Sequence, residues 1–294
     1  MLKIAIIGSS GMLGSALSKY FENRDVLVYE FNRSGVATVP GNECFKLEIS
    51  ELPCSFKNLK KIEVDYIVNC IGMIKQLINI NDKNSVKLAY RLNADFPHEL
   101  NMFAKSQDIK VIQIGTDCVF SGTSGMYSEN SPHDPVDIYG VTKNIGESSA
   151  DSSMILRCSI IGKELETSNS LLSWVLSRKM YSEINGFTNH FWNGLSTLHF
   201  AKIVNGIIKN QIYENGVFHL VPADFLNKYE LIKLITDKYG RNDLKINKFE
   251  TLNPVNRILT TVKPGHNRSL WQASGYNEIP TIKQMVSDYA AWSK

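Results

Sequence analysis

Leu2-Lys-Ile-Ala-Ile-Ile-Gly8-Ser-Ser-Gly11-Met-Leu-Gly14 is the stretch that decides the fold. A short apolar run, broken only by Lys3, enters a glycine-spaced turn. Leu13, Leu17, Tyr20 and Phe21 then recur at helical spacing over residues 12–22. Strand, GxxGxxG loop and helix follow in the order that a pyrophosphate site requires. Gly8 permits a tight turn off the strand, Gly11 lets the backbone approach the pyrophosphate, and Gly14 lets the helix pack on the sheet. The helix start adds free N–H groups and the positive end of its dipole. The expected dinucleotide contacts of this loop are Gly8, Ser10, Gly11, Met12, Leu13 and Gly14. The plainer alternative is a glycine-rich βα turn that binds nothing.

Outward from the loop the strand signal returns at Val26–Phe31, Val64–Cys70, Lys110–Gly115 and Met154–Arg157, with a long helical stretch over residues 86–106. Short apolar runs alternating with helical periods predict βαβ units and a parallel sheet covered on both faces. The fold class is therefore α/β: a Rossmann-type doubly wound parallel sheet with a smaller C-terminal mixed α/β substrate lobe. The pattern changes near residue 160. Lys163–Ser170 reads as a polar loop, and helical periods return near residues 196–210, 228–239 and 282–289. The expected division is a dinucleotide-binding domain over residues 1–160 and a substrate lobe over 161–294, with the chain returning to the first domain near 196–220.

Of the 294 residues, 43% are hydrophobic and 21% charged, with a net charge of +3, which excludes a disordered polyelectrolyte and a small disulfide scaffold. So mild a charge argues against nucleic acid and membrane surfaces as partners. The opening apolar stretch ends at Gly8, too early for a signal peptide, and no run reaches membrane-spanning length. The five cysteines (Cys44, Cys54, Cys70, Cys118 and Cys158) form no CxxC pair and read as buried free thiols in a reducing compartment, so a cytoplasmic protein is expected. No cysteine or histidine spacing suggests a metal site.

The end of the second strand selects the cofactor. An acidic residue there would read a ribose 2′-hydroxyl and an Arg a 2′-phosphate. The segment reads Glu30-Phe-Asn-Arg33-Ser34, with Arg33 about 20 residues past the loop, the expected spacing. Arg33 and Ser34 favour NADPH over NADH, because a guanidinium pairs well with phosphate. Glu30 is the rival reader if the strand ends earlier.

Tyr139-Gly-Val-Thr-Lys143 is a YxxxK pattern. On a helix these two residues share a face, and a cation beside a phenol favours the phenolate. Such a pair can give a proton to a carbonyl under reduction. Thr116 ends the strand Val111–Gly115, at the sheet edge where doubly wound folds bind ligands. Its hydroxyl can hold the same carbonyl oxygen.

This order of glycine loop, strand-end Thr and YxxxK resembles the extended short-chain dehydrogenase/reductases. Ile114-Gly-Thr-Asp-Cys-Val-Phe-Ser-Gly122 resembles the STDYVFDG-type segment of dTDP-4-dehydrorhamnose reductases. Tyr127-Ser-Glu129 and Pro135-Val-Asp-Ile-Tyr-Gly-Val-Thr-Lys-Asn-Ile-Gly-Glu147 resemble the blocks that follow, and Lys263–Leu270 looks like the RPxxSxL segment. The resemblance implies NADPH and a nucleotide-linked 4-keto-6-deoxysugar, dTDP first, with UDP, GDP and CDP open. It implies a catalytic set of Thr116, Tyr139 and Lys143, in which Lys143 also binds the nicotinamide ribose. Asn69, Cys70, Ile71 and Gly72, where those enzymes carry an alanine-rich stretch, are expected along the cofactor with Tyr139 and Lys143. Asp117, Cys118, Val119, Phe120, Ile160 and Trp192 are expected at the sugar. Arg268 is expected on the diphosphate, ahead of Lys263 and Arg257, because it lies in the family-like segment.

Three departures stand out. Cys118 replaces a Tyr, Ile160 replaces a Trp that faces the sugar, and the Thr-Asp-Glu of sugar-4,6-dehydratases is absent, which argues against water elimination. The implied role is reduction of a 4-ketosugar for surface polysaccharide or glycan synthesis. A nucleotide-sugar epimerase and a non-catalytic NADP-binding regulatory subunit, such as the beta subunit of methionine adenosyltransferase, are the rival readings. A homodimer is left open. The Gly186–Gly194 loop could wall the sugar, stack a base, or plug the lobe junction.

Overall fold

The computed structural model describes residues 1–49 and 56–293, so Cys54 lies outside the described residues. A seven-stranded parallel sheet forms the centre. Its strands are β1 (Leu2–Ile7), β2 (Val26–Asn32), β3 (Glu43–Lys46), β4 (Tyr66–Asn69), β5 (Lys110–Gly115), β6 (Met154–Arg157) and β11 (Gly216–His219), in the order β11-β6-β5-β4-β1-β2-β3. Strand order reverses between β1 and β4, which makes the crevice above their C-terminal ends the switch point where such sheets bind ligands.

The unbroken apolar runs of these strands have a direct cause. Ile4 and Ile6 point into one core cluster and Ala5 and Ile7 into another on the opposite face. Tyr66 and Val68 divide from Ile67 in the same way, and Ile112 from Val111. With period 2 and helices on both faces, these central strand positions are apolar on both sides, and the buried polar residues of the sheet, such as Asn69 and Gln113, sit toward the strand ends.

Helices α1 (Met12–Phe21), α2 (Lys57–Ile62), α3 (Lys83–Tyr90), α4 (Phe96–Ser106) and α5 (Ile138–Gly146) connect the first strands. The expected helix over 86–106 is α3 and α4 joined through a π-helical segment at Arg91–Asp95. The weakly apolar edge strand β3 gave no signal, and it is only partly buried.

Beyond β6 the chain alternates between the two regions. β7 (Ile160–Ile161) pairs with β10 (Leu195–Ser196), and β8 (Glu183–Phe187) with β13 (Lys245–Phe249). β9 (His190–Trp192) lies between β12 (Leu226–Asn227) and β14 (Val255–Asn256). Helices α6 (Leu171–Leu176), α8 (Lys228–Tyr239) and α10 (Ile282–Ser293) pack around these small sheets, and α9 (Pro264–Ala273) packs on α7 (Thr197–Lys209). α7 also packs on α1, and β11 pairs with β6, so residues 197–219 belong to the central sheet and its cover. Among the described residues no helix is long and apolar enough to cross a membrane. Cys158 is buried, while Cys44, Cys70 and Cys118 are free thiols of intermediate exposure rather than fully buried ones.

Candidate active site

The glycine loop is built by close approach. Gly8 has φ +86°, and a Cβ there would stand 2.9 Å from Ile71 Cδ1. Its N–H donates to the Phe31 carbonyl at 2.8 Å, and the Gly11 N–H donates to the Gly8 carbonyl at 3.0 Å. A Cβ on Gly14 would fall 2.1 Å from that Gly8 oxygen, so only glycine lets α1 start so near the loop. Gly11 is the N-cap of α1 and offers no side chain to its N–H groups, which leaves them for a ligand. Ser10 and Gly11 are exposed and Met12 is half-buried. The Leu13 side chain is sealed in the core, so only its backbone can meet a cofactor.

The loop after β4 completes the crevice. The Cys70 N–H donates to the Ile7 carbonyl at 2.9 Å, and the buried Asn69 amide oxygen accepts from the Ile71 N–H at 3.1 Å. Asn69, Cys70, Ile71 and Gly72 therefore run beside Gly8, with Gly72 exposed.

At the end of β2 the two rival ribose readers separate. Glu30 is fully buried, and its carboxylate accepts from the Thr38 N–H (2.8 Å), the Thr38 hydroxyl (2.7 Å), the Val39 N–H (3.2 Å) and the Asn42 amide (2.9 Å). Burial alone would raise its pKa, but these donors hold it below the usual value. Glu30 is thus committed to shaping the 38–42 loop. Asn32 donates to Ser9 Oγ at 2.9 Å and accepts from the Ser34 hydroxyl and the Gly35 N–H. Arg33 and Ser34 are left exposed at the loop surface.

Helix α5 carries the YxxxK pair, and glycines set its position. A Cβ on Gly140 would stand 2.3 Å from the Cys118 carbonyl, and one on Gly146 would stand 2.0 Å from the Asn93 carbonyl. The helix therefore lies directly on the Thr116–Cys118 turn and on the π-helical segment. Asp137 caps it by accepting from the Gly140 N–H at 2.9 Å and pairs with Lys75 at 2.9 Å. Asn93, which the sequence reading missed, joins three parts of the site. Its amide donates to the Met73 carbonyl and to Thr142 Oγ1, both at 3.0 Å, and its oxygen accepts from the Met73 N–H at 2.8 Å. A π-helical segment is a recurrent mark of functional positions, but nothing in the residues 91–95 announces it.

Thr116, Tyr139 and Lys143 come together above β5. The Thr116 hydroxyl donates to Asp117 Oδ1 at 3.4 Å and accepts from the Cys118 N–H at 3.2 Å. The Lys143 ammonium donates to the Ile114 carbonyl at 2.9 Å. Burial pushes the Tyr139 phenol well above its ordinary pKa, with Cys118 adding to the shift and the Thr116 hydroxyl opposing it. Lys143 is pushed down by burial, against the charge of Glu147 and the Cys70 and Cys158 thiols. In this state burial, not Lys143, dominates the Tyr139 proton, so the expected lowering of the phenol is not seen. The phenol is held as a neutral acid.

Beneath this set Arg157, 1% exposed, binds Glu147 at 2.5 Å, His219 Nε2 at 2.8 Å and His133 Nε2 at 3.1 Å. The network ties β6, β11 and the end of α5 together.

On the sugar side the structure corrects part of the reading. Asp117 and Cys118 are partly buried, but Val119 and Phe120 are fully buried and pack with Tyr127 and Leu259. Their side chains are core, and only the Phe120 carbonyl faces outward, toward Arg257. Ile160 is partly buried on β7, and Trp192 donates from its indole nitrogen to Ser159 Oγ at 2.8 Å. Arg268 is exposed on α9, with its neighbour Asn267 bonded to Val221, and Lys263 is exposed over the Phe218 ring. Arg257 lies against the Thr116–Phe120 turn, where its guanidinium donates to the Phe120 carbonyl at 2.8 Å and approaches Cys118 Sγ at 3.7 Å. Within the Gly186–Gly194 loop, Phe187 stacks on His190 at 4.5 Å, and His190 Nε2 bonds to the Asn253 carbonyl at 3.2 Å. Among the described residues no group of three or more His, Cys, Asp or Glu is placed to hold a metal.

A family model described as the RmlD substrate binding domain matches residues 2–265. The chain belongs to that family. A dTDP-4-dehydrorhamnose reductase structure from Bacillus anthracis, in complex with NADP, superposes with a TM-score of 0.79 at 19% identity over 100% of both chains. One from Clostridium acetobutylicum gives 0.77 at 21% identity over 99% of both. Among curated proteins, methionine adenosyltransferase 2 subunit beta of Danio rerio is 24% identical over 81% of this chain and 74% of its own. A dTDP-4-dehydrorhamnose reductase of Streptomyces griseus is 26% identical over 48% of this chain and 42% of its own. In this RmlD-type chain the α/β sheet, its switch-point crevice and the smaller C-terminal region together give the family's architecture.

Proposed function

We propose that this RmlD-family chain is an NADPH-dependent reductase of the C4 ketone of a nucleotide-linked 4-keto-6-deoxysugar. The observation that carries the reading is the convergence of Thr116, Tyr139 and Lys143 beside a glycine loop with unspent N–H groups. A hydride delivered from the nicotinamide to C4 leaves negative charge on the ketone oxygen. The Thr116 hydroxyl holds that oxygen, and the Tyr139 phenol, kept protonated by burial, supplies the proton. Gly8, Ser10, Gly11, Met12, Gly14 and the Leu13 backbone bind the pyrophosphate, and Asn69–Gly72 lies along the cofactor. Arg33 and Ser34 bind the 2′-phosphate, since Glu30 is already satisfied. Asp117, Cys118, Ile160, Trp192 and Arg257 surround the sugar and its diphosphate. The bound nucleotide is dTDP in this reading. We place the reaction in the cytoplasm, where its thiols stay reduced.

The second reading is a regulatory NADP-binding subunit. It is favoured by the longer match to the beta subunit of methionine adenosyltransferase 2. Loss of NADPH absorbance with dTDP-4-keto-6-deoxyglucose, with Tyr139→Phe as control, separates the two. Turnover by the native chain alone supports the reductase. Tight NADPH binding with no turnover across dTDP-, UDP-, GDP- and CDP-linked ketosugars supports the regulatory subunit.

A further inference from the structure

Lys228 was not among the expected site residues, yet its ammonium lies over the Trp192 ring and is coupled to Asp117 and Cys118. It is the first residue of α8, directly after the Asn227 cap, whose side chain and the Glu230 carboxylate form a capping box. A Lys in the first turn faces the positive end of the helix dipole, the wrong end for a cation.

The ammonium lies 5.5 Å from the centroid of the Trp192 ring and feels the charges of Asp117 and Cys118. Among the described residues it donates no hydrogen bond to a protein acceptor and forms no ion pair. Asp117 feels both Lys228 and Arg257, and burial still disfavours its charged form. Arg257 spends its guanidinium on the Phe120 and Ser121 carbonyls and the Cys118 thiol. Lys228 is thus the free donor of the pocket, and a half-buried ammonium without an acceptor is costly until one arrives.

Its place along the substrate follows from its neighbours. Asp117 and Cys118 come directly after Thr116, whose hydroxyl takes the ketone oxygen in the proposed reaction. The diphosphate leaves from C1, across the ring from C4. A cation set over Trp192 and coupled to Asp117 and Cys118 therefore falls, in that reading, on the ketone side of the sugar rather than at the phosphates. We propose that Lys228 is a substrate-positioning residue that donates a hydrogen bond to the sugar, through an oxygen on a ring carbon flanking the ketone. The assignment rests on the reductase reading, and it adds the contact that sets how the ketone face meets the nicotinamide.

Burial, opposed by Asp117 and Cys118, brings the Lys228 ammonium down to about 8. This supplies a signature that a structural role would lack. Sugar-nucleotide affinity should fall as pH rises through that value, because the neutral amine is the weaker donor. The groups facing it are Asp117 and Cys118 from the turn after β5, Trp192 and His190 from β9, and Arg257. Of these, Cys118 is pushed up to about 12 by burial and the Asp117 charge, and His190 is pushed down by burial, so neither titrates near 8.

The test is calorimetric titration of the NADP-bound protein with dTDP-rhamnose and with dTDP alone, from pH 6.5 to 9.5, in the native chain, Lys228→Met and Lys228→Arg. Lys228→Met should weaken dTDP-rhamnose about 10- to 100-fold, the loss of one charged hydrogen bond, and leave dTDP unchanged. Lys228→Arg should restore most of the affinity and remove the fall near pH 8, since guanidinium stays charged. Equal weakening of dTDP and dTDP-rhamnose would assign Lys228 to the diphosphate and overturn the proposal. No change in Lys228→Met, a pH fall that persists in Lys228→Arg, or a native chain that binds neither ligand would overturn it as well. NADPH oxidation with the ketosugar reports on the reductase reading separately.

Discussion

The Lys143 ammonium reaches past its own helix to the Ile114 carbonyl, 2.9 Å away on the neighbouring strand. That bond locks α5 against the end of β5 and sets the spacing between Tyr139 and Thr116. It also keeps a cation at the edge of the cofactor crevice, where Cys70 and Cys158 face it.

Two substitutions should therefore separate. Tyr139→Phe removes only the proton donor. It should leave NADPH affinity unchanged and lower turnover by roughly 10²- to 10⁴-fold. Lys143→Met removes the strand bond and, in the proposed reading, a donor to the nicotinamide ribose, so NADPH binding should weaken as turnover falls. Fluorescence titration with NADPH alongside rate measurements checks both. Full turnover in Tyr139→Phe would remove the phenol from the mechanism.

Arg33→Ala should weaken NADPH by about 1.5–3 kcal/mol, the range for a hydrogen bond to a charged group, and barely change NADH. Glu30 cannot compensate, because four donors already occupy its carboxylate. Equal losses for both cofactors would mean that another residue reads the ribose.

Much of this was legible in the residues, and the reason is physical. GxxGxxG and YxxxK are local patterns whose chemistry depends on neighbours one turn or one loop away. Close approach fixes the glycines: Gly14 and Gly140 would put a Cβ within 2.3 Å of a carbonyl oxygen. The apolar runs of β1 and β4 announce a sheet buried on both faces. What escaped the reading lies at long range. Lys228 comes from the start of α8, and no spacing links it to Thr116, while Arg257, ranked behind Arg268 in the sequence, follows β14 and bonds the Phe120 carbonyl. Val119 and Phe120 were expected at the sugar because they lie in the family-like segment, but the short helical turn places them in the core. Lys228 carried one faint signal, a cation in the first turn of a helix.

Glu30 also gives the fold a pH dependence. Its folded pKa is lowered, so its contribution is present above the unfolded value of 4.5 and is lost as pH falls through the folded value. Thermal melts of the native chain and Glu30→Gln should differ most at neutral pH, with the native chain more stable. The difference should shrink as the buffer is taken toward pH 3. A difference that stays constant over that range would show that the carboxylate charge contributes nothing beyond the shape of the side chain.

The Arg157–Glu147 pair sets the last expectation. Both side chains are nearly inaccessible, at 1% and 3% exposure, and the two imidazoles on Arg157 accept rather than balance its charge. His219 stays neutral because burial, with Arg157 beside it, brings its pKa down to about 4, while its Nδ1 donates to the Thr260 carbonyl at 2.7 Å. Glu147→Gln should therefore leave a buried guanidinium uncompensated and lower stability by roughly 3–5 kcal/mol. The double variant Glu147→Met with Arg157→Met removes both charges and should recover most of that loss, since an apolar pair of similar volume meets no desolvation penalty. Denaturant melts of the single and double variants measure the coupling directly. Losses that simply add would mean that the pair is held by its surroundings and that neither charge depends on the other.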